Sequence, residues 1–257
     1  MKLTVISTGS KGNSYVLYND REALMIEAGA PYKEVLRAVG PEVCSRLQGC
    51  IITHEHGDHA KYVNEVLDHA VPVYATEGTL EALATRSKVM HPKPFWNNYR
   101  SMDDYTRWSP CFVGGFSVLP FKTIHDSSDP CGFYIYHQSM GCLLFATDTM
   151  YVPARFKDLT NVMIECNYDE QLLRERTDIP ENLKDRIRRN HQSVDKCIDS
   201  LVQNDLSLVN KIILIHISEK DGQPQAFKEL VQLAVGNRHS VEIAEKGRTY
   251  EIGRAPF

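Results

Sequence analysis

Short runs of apolar and β-branched residues in the first third of the chain predict a meander of strands. Two turn-forming segments, residues 9–13 and 19–20, separate these runs. After Pro31 the apolar spacing becomes that of a short amphipathic helix, and a buried strand, a helix, a strand and another helix follow through Ala84. The predicted elements are strands at Leu3–Ile6, Ser14–Leu17 and Ala23–Ile26, a helix at Lys33–Val39 and the buried strand at Cys50–Thr53.

A second set of strands and helices follows and suggests a sandwich of two sheets between helices, in the α/β class. Its strands are predicted near Phe116–Leu119, Gly132–Tyr136, Leu143–Thr147, Val162–Glu165, Ile212–Ile215, Ser240–Ala244 and Thr249–Ile252. Its helices are predicted at about 169–188, 192–204 and 224–234.

The segment Ser87–Gly115 fits neither half. Between residues 95 and 108 it carries five aromatic residues among Asn and charged residues. A long irregular segment of this kind is typical of a lid over a ligand or of surface and subunit packing, and both interpretations stay open. The aromatic residues are Phe95, Trp96, Tyr99, Tyr105 and Trp108.

Composition narrows the class of protein. With 257 residues and 42% apolar residues, the chain is large enough for one core, so a single domain over residues 1–257 is expected. A net charge of −4 excludes the diffuse positive field of a protein that coats nucleic acid or an anionic membrane. Seven cysteines without a C-x-x-C pair fit a reducing compartment, and no apolar window approaches the length of a membrane span. We therefore expect a cytoplasmic protein, with a homodimer as an expectation from base rates alone.

The most informative segment is Thr53–His59, which follows the buried strand directly. Three of the chain's 10 histidines, His54, His56 and His59, fall within six residues, with Asp58 among them. Imidazole and carboxylate ligands are typical of Zn, Mn or Fe sites and differ from the ligands of a thiolate site. His54 and His56 point the same way from an extended start, whereas Asp58 and His59 come round the turn, so two metal centres are expected. Zn²⁺ is the first expectation for both, with Mn²⁺ as the alternative.

Further ligand candidates stand at the ends of predicted strands, where catalytic groups are often placed. His125 follows residues 122–124, Asp148 follows residues 145–147 and His216 follows residues 213–215. A lone histidine at such a position is more often structural. Beside an H-x-H-x-D-H segment, a metal-ligand role is the better interpretation, and a metal that only braces the fold is the alternative.

Together these seven residues resemble the metallo-β-lactamase-fold hydrolase superfamily, whose four-layer αββα sandwich matches the two half-sheets. Four flanking segments resemble the YycJ (WalJ) branch of small bacterial nucleases, which are relatives of ribonuclease Z. These segments are Ser7–Ser14, Pro72–Gly78, Ile164–Asp169 and Ile215–Glu219.

The resemblance implies a division of the ligands. His54, His56 and His125 would bind the first ion, Asp58, His59 and His216 the second, and Asp148 would bridge them. At Glu27 the superfamily usually carries an aspartate that supports the ligand loop from behind the metal site. The side chain of Glu27 is longer than that of aspartate, which affects the expected geometry of the loop and not the set of metal ligands. The alternative to a supporting role is that Glu27 is a solvated carboxylate at a strand end.

A second motif, Asn190–Ser193, resembles the His-x-Ser element that ribonuclease Z and its relatives place beside the scissile phosphate. His191 would then be catalytic, donating a proton or hydrogen bond, and Ser193 would contact substrate. The alternative is an exposed His191 and a Ser193 that caps the next helix. Ser10 and Asn13 in the first turn are weaker candidates for substrate binding, since a plain hairpin turn explains them equally well. The basic run at residues 184–189 is either an anion guide or a solvated helix face.

These features predict a phosphodiesterase with two metal ions, in which a hydroxide held by both ions attacks phosphorus and Asp58 and His191 act as catalytic residues. The resemblance implies a nucleic acid substrate, taken as a DNA or RNA end or single strand. The alternative is a cyclic nucleotide phosphodiesterase with the aromatic segment closing over the base. Thioester or lactone hydrolysis is the third candidate activity. The non-enzymatic alternative is a module that only binds a ligand or partner.

Overall fold

The computed structural model describes residues 1–86, 93–94 and 110–254. In this part of the chain two seven-stranded sheets pack face to face between two layers of helices, which confirms the predicted αββα sandwich. The first sheet contains β1 (Lys2–Ser7), β2 (Ser14–Tyr18), β3 (Ala23–Ile26), β4 (Leu47–Ile51), β5 (Val73–Ala75) and β6 (Lys93–Pro94). The second contains β7 (Cys111–Val113), β8 (Phe116–Lys122), β9 (Cys131–His137), β10 (Gly141–Ala146), β11 (Leu159–Glu165), β12 (Lys211–Ile215) and β13 (Ser240–Ile243). A last strand, β14 (Thr249–Glu251), returns to the first sheet and pairs antiparallel with β1.

Helices cover the outer face of each sheet. The first sheet carries α1 (Tyr32–Cys44), α2 (Gly57–Ala60), α3 (Val63–Asp68) and α4 (Glu77–Arg86). The second carries α5 (Glu170–Glu175), α6 (Glu181–Asn190), α7 (Val194–Val202) and α8 (Pro224–Val235). The α1 range is interrupted at Gly40, where φ is 83°, so the longest continuous helix among the described residues is α8, with 12 residues. Among the described residues, no helix is long and apolar enough to cross a bilayer.

Three apolar clusters hold these layers together. The central cluster fills the space between the sheets and includes Leu17, Phe133 and Phe145, all fully or almost fully buried. The other two lie between each sheet and its own helices. Strands β10 and β11 are buried along their whole length, as expected of parallel strands that are covered on both faces.

Two expectations about individual elements are wrong. The helix predicted over 169–188 is interrupted between α5 and α6, where Arg176 is extended and Pro180 precedes α6. Proline disfavours a helical conformation in the residue before it, so the break follows from the sequence after all. The irregular segment Ser87–Gly115 contributes β6 and β7, one edge strand to each sheet, while its five aromatic residues at 95–108 lie outside the described residues.

The topology brings several strand ends to one edge of the sandwich. Strands β3, β4 and β5 run parallel, and so do β10, β11, β12 and β13. Ligands in such sheets bind beyond the carboxyl ends of the strands. The loops that follow β4, β8, β10 and β12 carry the predicted metal ligands, and β8 runs in the same direction as β10, so all of these ligands project from this edge.

Glu22 joins the two sheets at the opposite edge. Its Oε2 accepts the N–H of Gly115 at 2.6 Å, and its Oε1 lies 3.0 Å from Nε2 of His137. Burial alone would raise the pKa of this carboxyl, but the bonds to His137 and Gly115 bring the pKa below its ordinary value of 4.5. Glu22 is therefore ionised in the folded protein over most of the pH range.

We expect Glu22→Gln to lower the free energy of unfolding at pH 7 by about 1 kcal/mol, because it weakens two charge-assisted hydrogen bonds. A carboxyl whose pKa is lower in the folded chain stabilises fully above pH 4.5, and this stabilisation disappears as the pH falls through the folded pKa. Urea unfolding at pH 7 and at stepwise lower pH measures the difference. Glu229→Gln, on the exposed side of α8, is the control, and equal losses in both variants would contradict the role of Glu22.

Candidate metal centre

The loop after β4 supplies four of the candidate ligands. The chain is still extended at His56, which precedes α2, and Asp58 and His59 lie in the first turn of that helix. His54 and His59 are almost completely buried. An extended start followed by a tight turn is the local geometry that the spacing of the motif predicts.

The other three candidates, His125, Asp148 and His216, follow β8, β10 and β12. Asp148 and His216 have positive φ angles of 45° and 53°, and Glu27 after β3 has a φ of 64°. Three of the five described non-glycine residues with positive φ therefore belong to this one edge of the fold. Such backbone costs about 1–3 kcal/mol per residue and is typical of functional sites, where it turns a side chain towards a centre.

The seven side chains converge in two groups. In the first, Nδ1 of His56 lies 3.0 Å from Nε2 of His125, and the ring centroid of His54 lies 4.7 Å from each of those rings. In the second, Oδ2 of Asp58 lies 3.3 Å from Nε2 of His59 and 3.5 Å from Nε2 of His216. Within each group, donor atoms of all members, Asp148 included in the second, lie within 4.8 Å of one another.

Asp148 stands between the two groups. Its Oδ2 lies 3.8 Å from Nε2 of His54 and 3.7 Å from Nε2 of His125 in the first group. The same oxygen lies 3.3 Å from Nε2 of His59, and Oδ1 lies 3.4 Å from Nε2 of His216. One carboxylate thus reaches donors on both sides of the cluster.

The donor set fits divalent transition-metal ions. Nε2 of His54 and Nε2 of His216 are buried and form no hydrogen bond with any residue that the structure describes. Buried polar atoms without a partner are costly, and a cation bound at each group would remove that cost. The donors are imidazole nitrogens and carboxylate oxygens, the chemistry that Zn, Mn and Fe sites use.

The charges of these groups also suit cation binding. Burial alone would raise the pKa of the Asp148 carboxyl, but His216 and His59 hold its pKa well below the ordinary range. The same two rings outweigh burial at Asp58 and lower its pKa strongly. Burial and the neighbouring His59 lower the pKa of His54, so its ring is neutral and its nitrogen can act as a ligand. Both carboxylates are therefore anionic at neutral pH.

Glu27 supports the ligand loop from the interior. The residue is fully buried, which excludes the solvated alternative; its Oε2 accepts the N–H of Thr53 at 3.4 Å, and its Oε1 lies 3.4 Å from Nδ1 of His59. Two residues later, a side chain at Gly29 would collide with the carbonyl oxygen of Asp58, since a Cβ there would lie only 1.8 Å from it. The loop can approach β3 this closely only because residue 29 is glycine.

A second polar pair lies beside the cluster. Oε1 of the buried Glu165 lies 2.6 Å from Nδ1 of His191 and 3.2 Å from Nδ1 of His216. Burial alone would lower the pKa of His191, but Glu165 outweighs it and raises the pKa. Because Nδ1 of His191 faces Glu165, Nε2 is the ring nitrogen left for a ligand. In the sequence, Glu165 is marked as a candidate functional residue only by its place in the family-like segment Ile164–Asp169.

The loop that carries His125 is held by two residues from elsewhere in the chain. Oε1 of Glu55, inside the H-x-H-x-D-H segment, accepts both the N–H and the hydroxyl of Ser128, at 3.0 and 2.9 Å. The Asn190 side chain accepts the N–H of Asp126 at 2.8 Å, and the Asn190 carbonyl oxygen lies 3.2 Å from Nδ1 of His125. These bonds orient the His125 ring with Nε2 towards the cluster.

The three predicted substrate contacts fall in different places. Ser10 is exposed and lines the cavity above the cluster. Asn13 is fully buried; its Oδ1 accepts the N–H of Gly9 at 2.9 Å and its Nδ2 lies 3.1 Å from Nε2 of His59, so it supports the turn beside the candidate ligands. Ser193 is 4% exposed and accepts the N–H of Lys196 as the N-cap of α7, which is the capping alternative.

The cavity above the cluster has a volume of about 250 Å³. It is lined by candidate ligands, by His191 and by one face of α6. A larger cavity of about 810 Å³ opens near the amino ends of β10 and β11, and none of the candidate ligands lines it. The residues of the smaller cavity are Ser10, His56, Asp58, His125, Asp126, Asp148, Leu183, Arg186, Ile187, Asn190, His191 and His216.

Known proteins are similar to this chain in sequence and in architecture. Residues 30–217 match the family described as "Beta-lactamase superfamily domain". A protein of Bacillus anthracis named "Exodeoxyribonuclease YycJ" is 27% identical over 99% of this chain and 93% of its own length. The metallo-beta-lactamase fold protein YhfI from Bacillus subtilis superimposes with a TM-score of 0.67 at 16% identity, over 97% of this chain and 98% of YhfI. Human tRNase Z, short form, superimposes with a TM-score of 0.63 at 15% identity, over 98% of this chain and 99% of the human chain.

The family match covers more than half of the chain and includes all seven candidate ligands, with His216 near its end. The resemblance read from the sequence is thereby confirmed. The histidine and aspartate cluster is of the kind that binds divalent metal ions. The chain belongs to the beta-lactamase superfamily and is a metal-dependent hydrolase.

Proposed function

We propose that this hydrolase is a phosphodiesterase with two divalent ions, acting as a nuclease on ends or single strands of DNA or RNA. The observation that carries the proposal is the single cavity in which candidate ligands of both groups meet the Glu165–His191 pair. Zn²⁺ is the ion that we propose for these imidazole and carboxylate donors, and Mn²⁺ is the alternative.

The ligands divide as their positions suggest. His54, His56 and His125 would hold one ion, and Asp58, His59 and His216 the other. Asp148 reaches donors of both groups and would bridge the two ions. When bound, such ions supply Lewis acidity towards a phosphoryl oxygen and lower the pKa of bound water towards 7.

The chain's own residues would handle the protons. Asp58 faces the cavity as a carboxylate whose pKa is held low by His216 and His59, so it stays ionised and can accept a hydrogen bond that orients the attacking water. His191 has a raised pKa and its Nδ1 is engaged by Glu165, so Nε2 can donate to a phosphate oxygen or to the departing alkoxide. Glu165 keeps this ring in the donating orientation.

Three observations favour a nucleic acid end over a long duplex. The Bacillus anthracis relative is named an exodeoxyribonuclease, and its similarity covers nearly the whole chain. The cavity, at about 250 Å³, is smaller than a typical pocket for a drug-sized ligand, so it suits the reacting phosphodiester and its sugar with the rest of the strand outside. A net charge of −4 argues against a broad basic track for a duplex.

A substrate panel tests the proposal. Protein of measured Zn, Mn and Fe content is assayed with single-stranded DNA and RNA labelled at either end, cyclic mononucleotides, bis(p-nitrophenyl) phosphate and p-nitrophenyl acetate. We expect cleavage of a strand and of the small phosphodiester, without turnover of cyclic mononucleotides or the acetate ester. Turnover of cyclic mononucleotides alone would replace the nuclease with a cyclic nucleotide phosphodiesterase. Acyl hydrolysis without phosphodiester cleavage would reject the phosphodiesterase altogether.

A further inference from the structure

One face of α6 forms a wall of the cavity. Leu183, Arg186, Ile187 and Asn190 all line it, and their spacing of three, four and seven residues places them on the same side of the helix. Asn190 fastens this end of the helix to the loop after β8, through its bond to the N–H of Asp126. The face is therefore fixed in position beside the candidate ligands.

The basic run on α6 is not a uniform patch. Lys184 is buried and lies 3.3 Å from a carboxylate oxygen of Glu181. Arg188 forms hydrogen bonds with Glu170, Glu181 and Asp185, so its charge is balanced by three carboxylates. Neither of these cations is available to a ligand in the cavity.

Arg186 differs from both. Its Nε donates to Oδ2 of Asp126 at 2.8 Å, while its two terminal nitrogens form no hydrogen bond with any residue that the structure describes. The side chain is 62% exposed and lines the cavity. Asp126 directly follows the candidate ligand His125, so the guanidinium is held at one side of the cluster with two N–H₂ groups unused.

We propose that Arg186 determines specificity by binding a second phosphate of the substrate, next to the one that is cleaved. A planar guanidinium matches phosphate oxygens in a bidentate manner, and its bond to Asp126 orients it beforehand. Leu183 and Ile187 on the same face offer apolar contacts to the sugar or base between the two phosphates. The preferred substrate is then a strand with at least two phosphates, and not a cyclic mononucleotide or a small diester. This inference rests on the proposed phosphodiesterase function.

The test compares Arg186→Gln with Arg189→Gln. Arg189 is exposed on the same helix but does not line the cavity, so the control removes the same charge without touching the proposed contact. The kcat/KM of each variant is measured on a single-stranded oligonucleotide and on bis(p-nitrophenyl) phosphate, which has no second phosphate. Binding of a fluorescent phosphorothioate oligonucleotide is measured over a range of salt concentrations, and metal content and thermal unfolding are checked for all variants.

We expect Arg186→Gln to lower kcat/KM for the oligonucleotide about tenfold more than for the small diester, the size of one charge-assisted contact. For Arg186→Gln, the slope of the logarithm of the binding constant against the logarithm of the salt concentration is expected to be shallower by about 0.7. This is the change that corresponds to the loss of one phosphate contact on a single strand. Arg186→Lys keeps the positive charge but loses the bidentate guanidinium, so its kcat/KM for the oligonucleotide should lie between those of the parent and of Arg186→Gln. Arg189→Gln should behave as the parent.

Equal losses on both substrates, or equal behaviour of the two glutamine variants, would overturn the role of Arg186 while leaving the phosphodiesterase in place. A parent protein that cleaves neither phosphodiester would overturn the proposed function itself. The two failures are therefore distinguishable.

Discussion

Replacing His56 by alanine is expected to reduce phosphodiester hydrolysis by about 10³-fold or more, equivalent to about 4 kcal/mol of lost transition-state stabilisation. His56 lines the cavity, and its Nδ1 lies 3.0 Å from Nε2 of His125, so its loss leaves the first group with only two imidazoles. The side chain is half-buried at the cavity wall, and its removal creates no void in an apolar core. The fold should persist while bound metal decreases, which elemental analysis, circular dichroism and steady-state kinetics measure together.

His69→Ala is the matched control. His69 is an exposed histidine after α3, bonded to the carbonyl oxygen of Glu65 and stacked on Tyr32 with ring centroids 3.9 Å apart. Its loss should leave metal content and turnover unchanged. Parental turnover in His56→Ala would contradict the metal assignment, and equal losses in both variants would point to a general effect of removing a histidine.

The part of the site that is local in sequence could be predicted from the sequence. Residues 54–59 follow a buried strand, and the change from extended chain to helical turn alone separates His54 and His56 from Asp58 and His59. His125, Asp148 and His216 also stand at strand ends, where the apolar runs stop. Sequence alone could not show that parallel packing of β10 to β12 brings these ends to one edge.

Glu165 shows the limit of that reasoning. It is the last residue of β11, where a single carboxylate after an apolar run looks like any strand end. Its role depends on His191, which is 26 positions away and reaches it only because the chain turns back through α5 and α6. The left-handed backbone at Asp148 and His216 is equally hidden, because Asp and His adopt a positive φ more often than most residue types but still at only a minority of positions.

Asn13 and Ser193 show where residue type alone is ambiguous. Both belong to glycine-rich or polar turns that sequence patterns associate with ligand binding, and both side chains bond nearby backbone. The Asn13 side chain also places its Nδ2 3.1 Å from Nε2 of the candidate ligand His59. The same residue types favour turns and caps for this local bonding, so composition cannot separate a structural use from a substrate contact. Substrate contact by Ser10, which lines the cavity, stays a prediction, as it does for Asn13 and Ser193.

The second large effect is expected at His191, whose replacement by alanine should lower the rate by about 10²-fold or more at full metal content. His191 lines the cavity, and its nearest bonded partner is Glu165 at 2.6 Å. Glu165→Gln should be milder, with a loss of about 10–100-fold, because a neutral amide still occupies the site but orients the ring less firmly. Kinetics at saturating metal, with metal content measured in parallel, separates these losses from weaker ion binding through His216.

The double variant decides whether Glu165 acts through His191. If it does, His191→Ala combined with Glu165→Gln should be about as slow as His191→Ala alone, since the second change removes support from a ring that is already absent. Glu175→Gln, at the exposed end of α5, is the matched control and should keep the parental rate. Fully multiplicative losses would show that Glu165 works independently of His191, through His216 and the metal site. An unchanged rate in His191→Ala would leave His191 with no part in proton transfer, and the ions and Asp58 would then have to carry the charge of the departing group without it.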